Sequence, residues 1–216
     1  MPSEPLSYEE WFKMNRFYMS VGTFEAAQSE EFARRLTELF VSTAAERLTE
    51  ERVEYFCSGV MSLCDFLFEE AARLPDEAFD NDFLRPCQRH ILAQQHIGAV
   101  VRRIAFDLLP RKRSLAKSPI FYRMVCRLIG DARFGVARFS VLRYLLGPTR
   151  RNDGIDFAAL LQDPDFYGSC FTALRRLKDG RFVREAEVAL ANIPDDDPET
   201  RQTIRRYLDL FADPQN

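Results

Sequence analysis

Apolar residues recur at steps of three and four from Val53 to Ala71, through Phe56, Cys57, Val60, Met61, Cys64, Leu67 and Phe68. That spacing gathers on one side of a 3.6-residue turn and scatters across both faces of a strand, so it predicts a long amphipathic helix. Thr49 precedes it as a cap, and Glu50 and Glu51 stand at its positive end. The same grammar recurs along the chain. Ser7-Tyr8-Glu9-Glu10 reads as a capping box that opens a helix with Trp11, Phe12, Phe17 and Tyr18. Phe32, Leu36, Leu39 and Phe40 mark a second helix. After a connector at 75–86, a helix is expected from Cys87 to Leu109, closed by Pro110. Ser118-Pro119, Asp163-Pro164 and Asp197-Pro198 each place a capping side chain before a proline at the first helical position. Gly147-Pro148 is expected to end a helix. No segment alternates with period two, and 9 glycines and 11 prolines in 216 residues are too few for a chain of tight β-turns. The expected fold class is all-α, one domain over residues 1–216.

Three segments of the second half align without gaps. They are Ile129-Gly-Asp131-Ala-Arg-Phe134, Leu161-Gln-Asp163-Pro-Asp-Phe166 and Leu177-Lys-Asp179-Gly-Arg-Phe182. Leu142, Leu174 and Leu190 follow at the same offset, then Leu145, Leu177 and Ile193. In each, the aspartate is expected to cap a helix, and the aromatic and aliphatic positions fall on one stripe. Such a stripe is buried only by stacking on a neighbour. The offsets of 32 and 16 residues suggest helices of about sixteen residues. On these residues the stretch 118–213 resembles a HEAT-like α-solenoid, which implies a helical bundle continuing into stacked helices. The alternative is an ordinary bundle of capped helices.

The net charge of −3 conceals a strong segregation. Residues 1–84 carry 18 acidic and 7 basic side chains. Residues 85–151 carry 2 acidic and 15 basic, thirteen of them arginine, and residues 152–216 carry 13 acidic and 8 basic. Arginine offers a planar fork to carboxylate or phosphate and desolvates more easily than lysine. The block therefore either pairs with the acidic segments or forms an open surface for an anionic partner. The residues expected to form that surface are Arg102, Arg103, Arg111, Lys112, Arg113, Lys117, Arg123, Arg127 and Arg138. Arg123 and Arg127 are four apart and share a helix face.

Catalytic and cofactor signatures are absent from the sequence. There is no phosphate-binding glycine loop, no nucleophile elbow and no Glu-x-x-His pair. Cys87-x-x-His90 with Cys57 and Cys64 is the one imaginable metal set, but paired ligands in structural zinc sites lie closer than Cys57 and Cys64 do. No catalytic residue, metal or cofactor is assigned. The five cysteines read as buried thiols of a reducing compartment. Met1 to Pro5 has neither a basic nor an apolar stretch, so no signal peptide is expected, and the expected location is the cytoplasm. No apolar run approaches the ~20 residues of a membrane span, so no membrane partner is expected.

The leading expectation is a protein-interaction module, an adaptor or a toxin-neutralising immunity-type protein, that holds an acidic protein partner on its arginines. One alternative is a nucleic-acid-binding HEAT-like protein. HEAT-like DNA glycosylases hold duplex DNA in a basic cleft, but no catalytic aspartate of this chain matches theirs. Another is a homo-oligomer in which acidic and basic blocks of different copies pair; light scattering at two salt concentrations separates it, because a stable monomer at both removes it.

Overall fold

Thr49 caps the first described helix: the Arg52 amide donates to its hydroxyl at 3.4 Å and the Val53 amide to its carbonyl at 3.1 Å. The structure, a computed structural model, describes residues 49–73, 85–194 and 196–211. The capping box at Ser7 and the helices expected before residue 49 lie outside the described residues.

Helix α1 spans Glu50–Arg73. Its expected apolar stripe is buried from Val53 to Ala71, with Phe68 half-buried against the core. Leu63 and Phe66 are buried too, because α1 packs on two neighbours. These are α2, Arg85–Arg103, and α3, Pro119–Gly130. Helix α2 begins two residues before the expected start, with Pro86 in its first turn, where a missing N–H costs nothing. It then widens into a π-wound stretch at Ile104–Leu108, in which the Leu109 amide reaches Ile104 O at 3.0 Å. Ser118 caps α3 as expected, accepting from the Ile120 and Phe121 amides at 3.2 and 3.5 Å, with Pro119 in the first turn.

Helix α4 opens as Ala137–Ser140, is π-wound over Val141–Leu146, and closes as Gly147–Thr149. This corrects the expectation that Gly147-Pro148 ends a helix. A proline ring collides with the carbonyl four residues back in a regular α-turn. The wider π-turn ahead of Pro148 moves that carbonyl pattern aside, and the helix ends instead at Arg150, which is left-handed at φ 55°. A short α5, Phe157–Leu160, is capped by Asp156. Then come α6, Tyr167–Leu177, α7, Val183–Asn192, and α8, Pro198–Phe211. Asp197 caps α8 by accepting from the Thr200 amide at 3.1 Å. All described elements are helical, with no strand among the described residues.

The aligned aspartates share one geometry. Asp131, Asp163 and Asp179 each accept from the amide two residues on, at 3.0, 3.0 and 3.2 Å. They cap a tight turn that precedes the helix, not the helix itself. The sixteen-residue unit therefore divides into a turn and a shorter helix: α6 has 11 residues and α7 has 10. Phe134 and Phe166 are buried at the turn's end, and Phe182 is half-buried. Helix α4 packs on α2, α3 and α6, α6 on α8, and α8 on α7. One continuous cluster of buried residues runs from Val53 to Tyr207.

The third turn is tied down most firmly. The Arg181 guanidinium forks onto Asp179 at 2.9 and 2.7 Å, Asn152 donates to the same carboxylate at 2.5 Å, and Tyr207 Oη donates to the Asp179 carbonyl at 2.8 Å. The Arg181 hydrogen bonds hold the Asp179 carboxyl below the ordinary carboxylate range. A carboxyl whose pKa is depressed by folding stabilises the fold above its unfolded pKa of about 4, and that contribution is lost as pH falls below it. Thermal midpoints between pH 7 and pH 3 should therefore fall towards acid in the wild type. Asp179→Asn should be less stable at pH 7 and lose less on acidification. An equal acid loss in both proteins would show that Asp179 carries none of the acid-sensitive stability.

Candidate anion-binding surface

The loop after the first π-wound stretch is built from its own backbone. The Lys112 amide returns to Leu108 O at 2.9 Å, the Leu115 amide to Lys112 O at 2.9 Å, and the Ser118 amide to Leu115 O at 3.0 Å. Leu115 and Ala116 are buried, which anchors the loop while Arg111, Arg113 and Lys117 remain exposed. Opposite it lies the end of α4. Thr149 is buried there, its hydroxyl donating to Leu146 O at 2.7 Å. That hydroxyl also accepts from the Arg151 amide at 3.3 Å, which fixes Arg150 between them. Arg176 approaches from α6, and its Nη1 donates to the Arg143 carbonyl. Gly147 permits this approach, since a Cβ there would stand 2.9 Å from the Arg176 side chain.

These three segments enclose a groove of about 590 Å³. Arg113, Lys117, Arg150 and Arg176 line it together with the apolar Leu109, Ala116 and Pro148, and no acidic side chain does. Burial first, and then the nearby Arg175 and Arg143 cations, lower the pKa of Arg176.

Part of the basic block is neutralised within the chain. Arg103 pairs with Asp107 at 3.1 Å, Arg143 with Glu199 at 3.0 Å and Arg151 with Asp153 at 2.8 Å. Arg133 pairs with Asp131 at 2.7 Å and reaches Asp65 of α1 at 3.4 Å. Another part is open. Arg102, Arg111, Arg113, Lys117, Arg123, Arg127 and Arg150 are exposed and form no salt bridge among the described residues.

The nine residues expected to bind are thus not gathered in one place. Arg113 and Lys117 line the groove. Arg111 and Lys112 belong to the same loop outside it, and Arg102 is exposed on the last turn of α2. Arg123 and Arg127 stand one turn apart on the exposed side of α3, whose other side buries Phe121, Val125 and Leu128. Arg103 is ion-paired. Arg138 turns inward: it is half-buried, its Nε donates to Ile129 O at 2.7 Å, and its guanidinium lies 4.7 Å over the Phe166 ring. It borders a smaller cavity of about 270 Å³ beside Cys126 and Asp156.

Arg150 and Arg176 complete the groove without having been singled out from the sequence. Arg150 stands at the end of the basic block beside Arg151, and Arg175-Arg176 form an adjacent cation pair in the net-acidic segment that follows. That pair was the only local sign of the second residue.

The cysteines offer no activated thiol among the described residues. Burial pushes Cys57, Cys64 and Cys170 up to about 12 and raises Cys126, which keeps them protonated at neutral pH. Among the described residues no group of three or more His, Cys, Asp or Glu side chains is placed to hold a metal ion. The Cys87 and His90 side chains lie outside the described residues. No described helix is long and apolar enough to cross a membrane. No family model, curated protein or solved structure matches the chain.

Proposed function

We propose that this protein is an interaction module that holds an acidic protein partner on its exposed arginine surface. It would act as an adaptor or an immunity-type inhibitor on a HEAT-like scaffold. The observation that carries the reading is the pair Arg123 and Arg127. They are exposed on one side of α3, are backed by a buried apolar side, and have no salt bridge among the described residues. An arginine pair held by a rigid helix presents two forks in fixed relation, which suits carboxylates one helical turn apart on a partner. The shared geometry of the three aspartate turns and the packing of α8 on both α6 and α7 support the scaffold reading.

Reversal of the pair tests the proposal. Arg123→Glu/Arg127→Glu should leave the thermal midpoint within a few degrees, because neither side chain is packed. Association with the acidic partner recovered by the wild type should slow about tenfold at low salt and less at high salt. Unchanged association in the double variant would refute the assignment of this face.

A second reading has one specific support. Phe106 is 60% exposed and its ring lies 5.1 Å from that of Tyr144, with the Arg143 guanidinium 5.8 Å from the Tyr144 ring. Aromatic faces beside arginines are what single-stranded nucleic acid stacks on.

A further inference from the structure

We propose that the groove between the 111–117 loop, the end of α4 and α6 binds a run of adjacent phosphoryl groups. This site goes beyond the partner reading and uses neither Arg123 nor Arg127. Four cations from three separated segments line one concave space: Arg113, Lys117, Arg150 and Arg176. None of the four forms a salt bridge among the described residues, and no acidic side chain lines the space. Like charges in one groove repel, so the arrangement is most stable with an anion between them. The lowered pKa of Arg176 has burial and neighbouring cations as its causes and points the same way.

Charge density selects phosphoryl groups over carboxylates. A carboxylate brings one charge per group, and neighbouring carboxylates on a peptide are separated by flexible side chains. A chain of two or three phosphoryl groups brings about three or four charges into the same space, with oxygens that take arginine forks and a lysine point charge. The volume of about 590 Å³ lies within the range of small-ligand sites and is too small for a duplex. Arg150 gives the site a clean probe. Its left-handed φ of 55° ends α4 at the groove wall, as the φ of 57° at Lys178 ends α6, so the side chain there is replaceable by glycine without loss of the backbone turn. Two sources share this chemistry, an inorganic polyphosphate and a nucleoside triphosphate.

Calorimetric titration with sodium tripolyphosphate, ATP and citrate at about physiological ionic strength tests the site. Tripolyphosphate should bind saturably, with citrate at least about tenfold weaker. Arg113→Gln/Lys117→Gln should weaken tripolyphosphate about tenfold or more, whereas Arg123→Gln/Arg127→Gln should leave it within about twofold. Arg150→Gly separates ligand from fold. Glycine suits that backbone, so the thermal midpoint should hold or rise while tripolyphosphate affinity falls. ATP binding as tightly as tripolyphosphate, or tighter, makes the nucleotide the source; weaker ATP binding makes it the inorganic chain. No saturable heat, equal affinity for citrate, or equal losses in the groove and α3 variants would each overturn the site. The partner reading has its own readout, because the groove variants should retain association with the acidic protein.

Discussion

Phe134→Ala is expected to lower the unfolding free energy by about 3–5 kcal/mol, which corresponds to a fall in thermal midpoint of about 10 °C. The side chain is fully buried, and its ring lies 5.7 Å from that of Phe68 on α1. It sits at the end of the Asp131 turn, between α3 and α4, so it joins the first helix to the stack that follows. Truncation leaves a cavity bounded by helices on several sides, and rigid helices collapse poorly onto a void. Phe182 occupies the equivalent place in the third turn but is only half-buried, so Phe182→Ala should cost distinctly less, about 1–2 kcal/mol. Chemical denaturation of both variants measures the contrast. Equal losses, or a Phe134→Ala loss below about 1 kcal/mol, would mean that the first turn is not seated as described.

The second large effect lies one residue further on. Gly135→Ala should cost about 2–4 kcal/mol, from a strained backbone and a disrupted buried amide. Gly135 has φ 37° and ψ −120°, a region open to glycine and closed to side chains with a Cβ. A Cβ there would also stand 2.3 Å from Gln94 Nε2. The Gln94 amide is 8% exposed and bridges the turn: its Nε2 donates to Arg133 O at 3.0 Å and its Oε1 accepts from the Val136 amide at 3.3 Å. Displacement leaves buried polar groups unpaired. Gln94→Ala removes the collision and also costs stability, so the double variant should be more stable than the sum of the two single losses predicts. Strict additivity would show that the glycine and the amide do not meet.

Local chemistry made the fold class and most helix starts legible in the sequence. Thr49, Ser118 and Asp197 act as caps where their spacing placed them, because a cap depends on residues two to four positions away. The aligned aspartates were also readable, although not that they cap a turn before the helix. The π-wound stretches at Ile104–Leu108 and Val141–Leu146 carry no comparable signature, and the misplaced helix end at Gly147-Pro148 follows from them. The basic surface was legible as a charge block, but its division was not. Arg138 points inward because Phe166, 28 positions away, offers a ring to cover it. Arg176 reaches the 111–117 loop only through the packing of α6 on α4. Both depend on tertiary contacts that no spacing rule encodes.

The open arginines of α3 are proposed to serve protein carboxylates. Anisotropy of labelled single- and double-stranded oligonucleotides, titrated from about 50 to 200 mM salt, tests it most directly. Neither oligonucleotide should bind saturably at about 150 mM salt, and binding below it should be weak and unsaturated. Micromolar binding that weakens steeply with salt and disappears in Arg123→Glu/Arg127→Glu would contradict it, and would give the α3 face to a phosphate backbone.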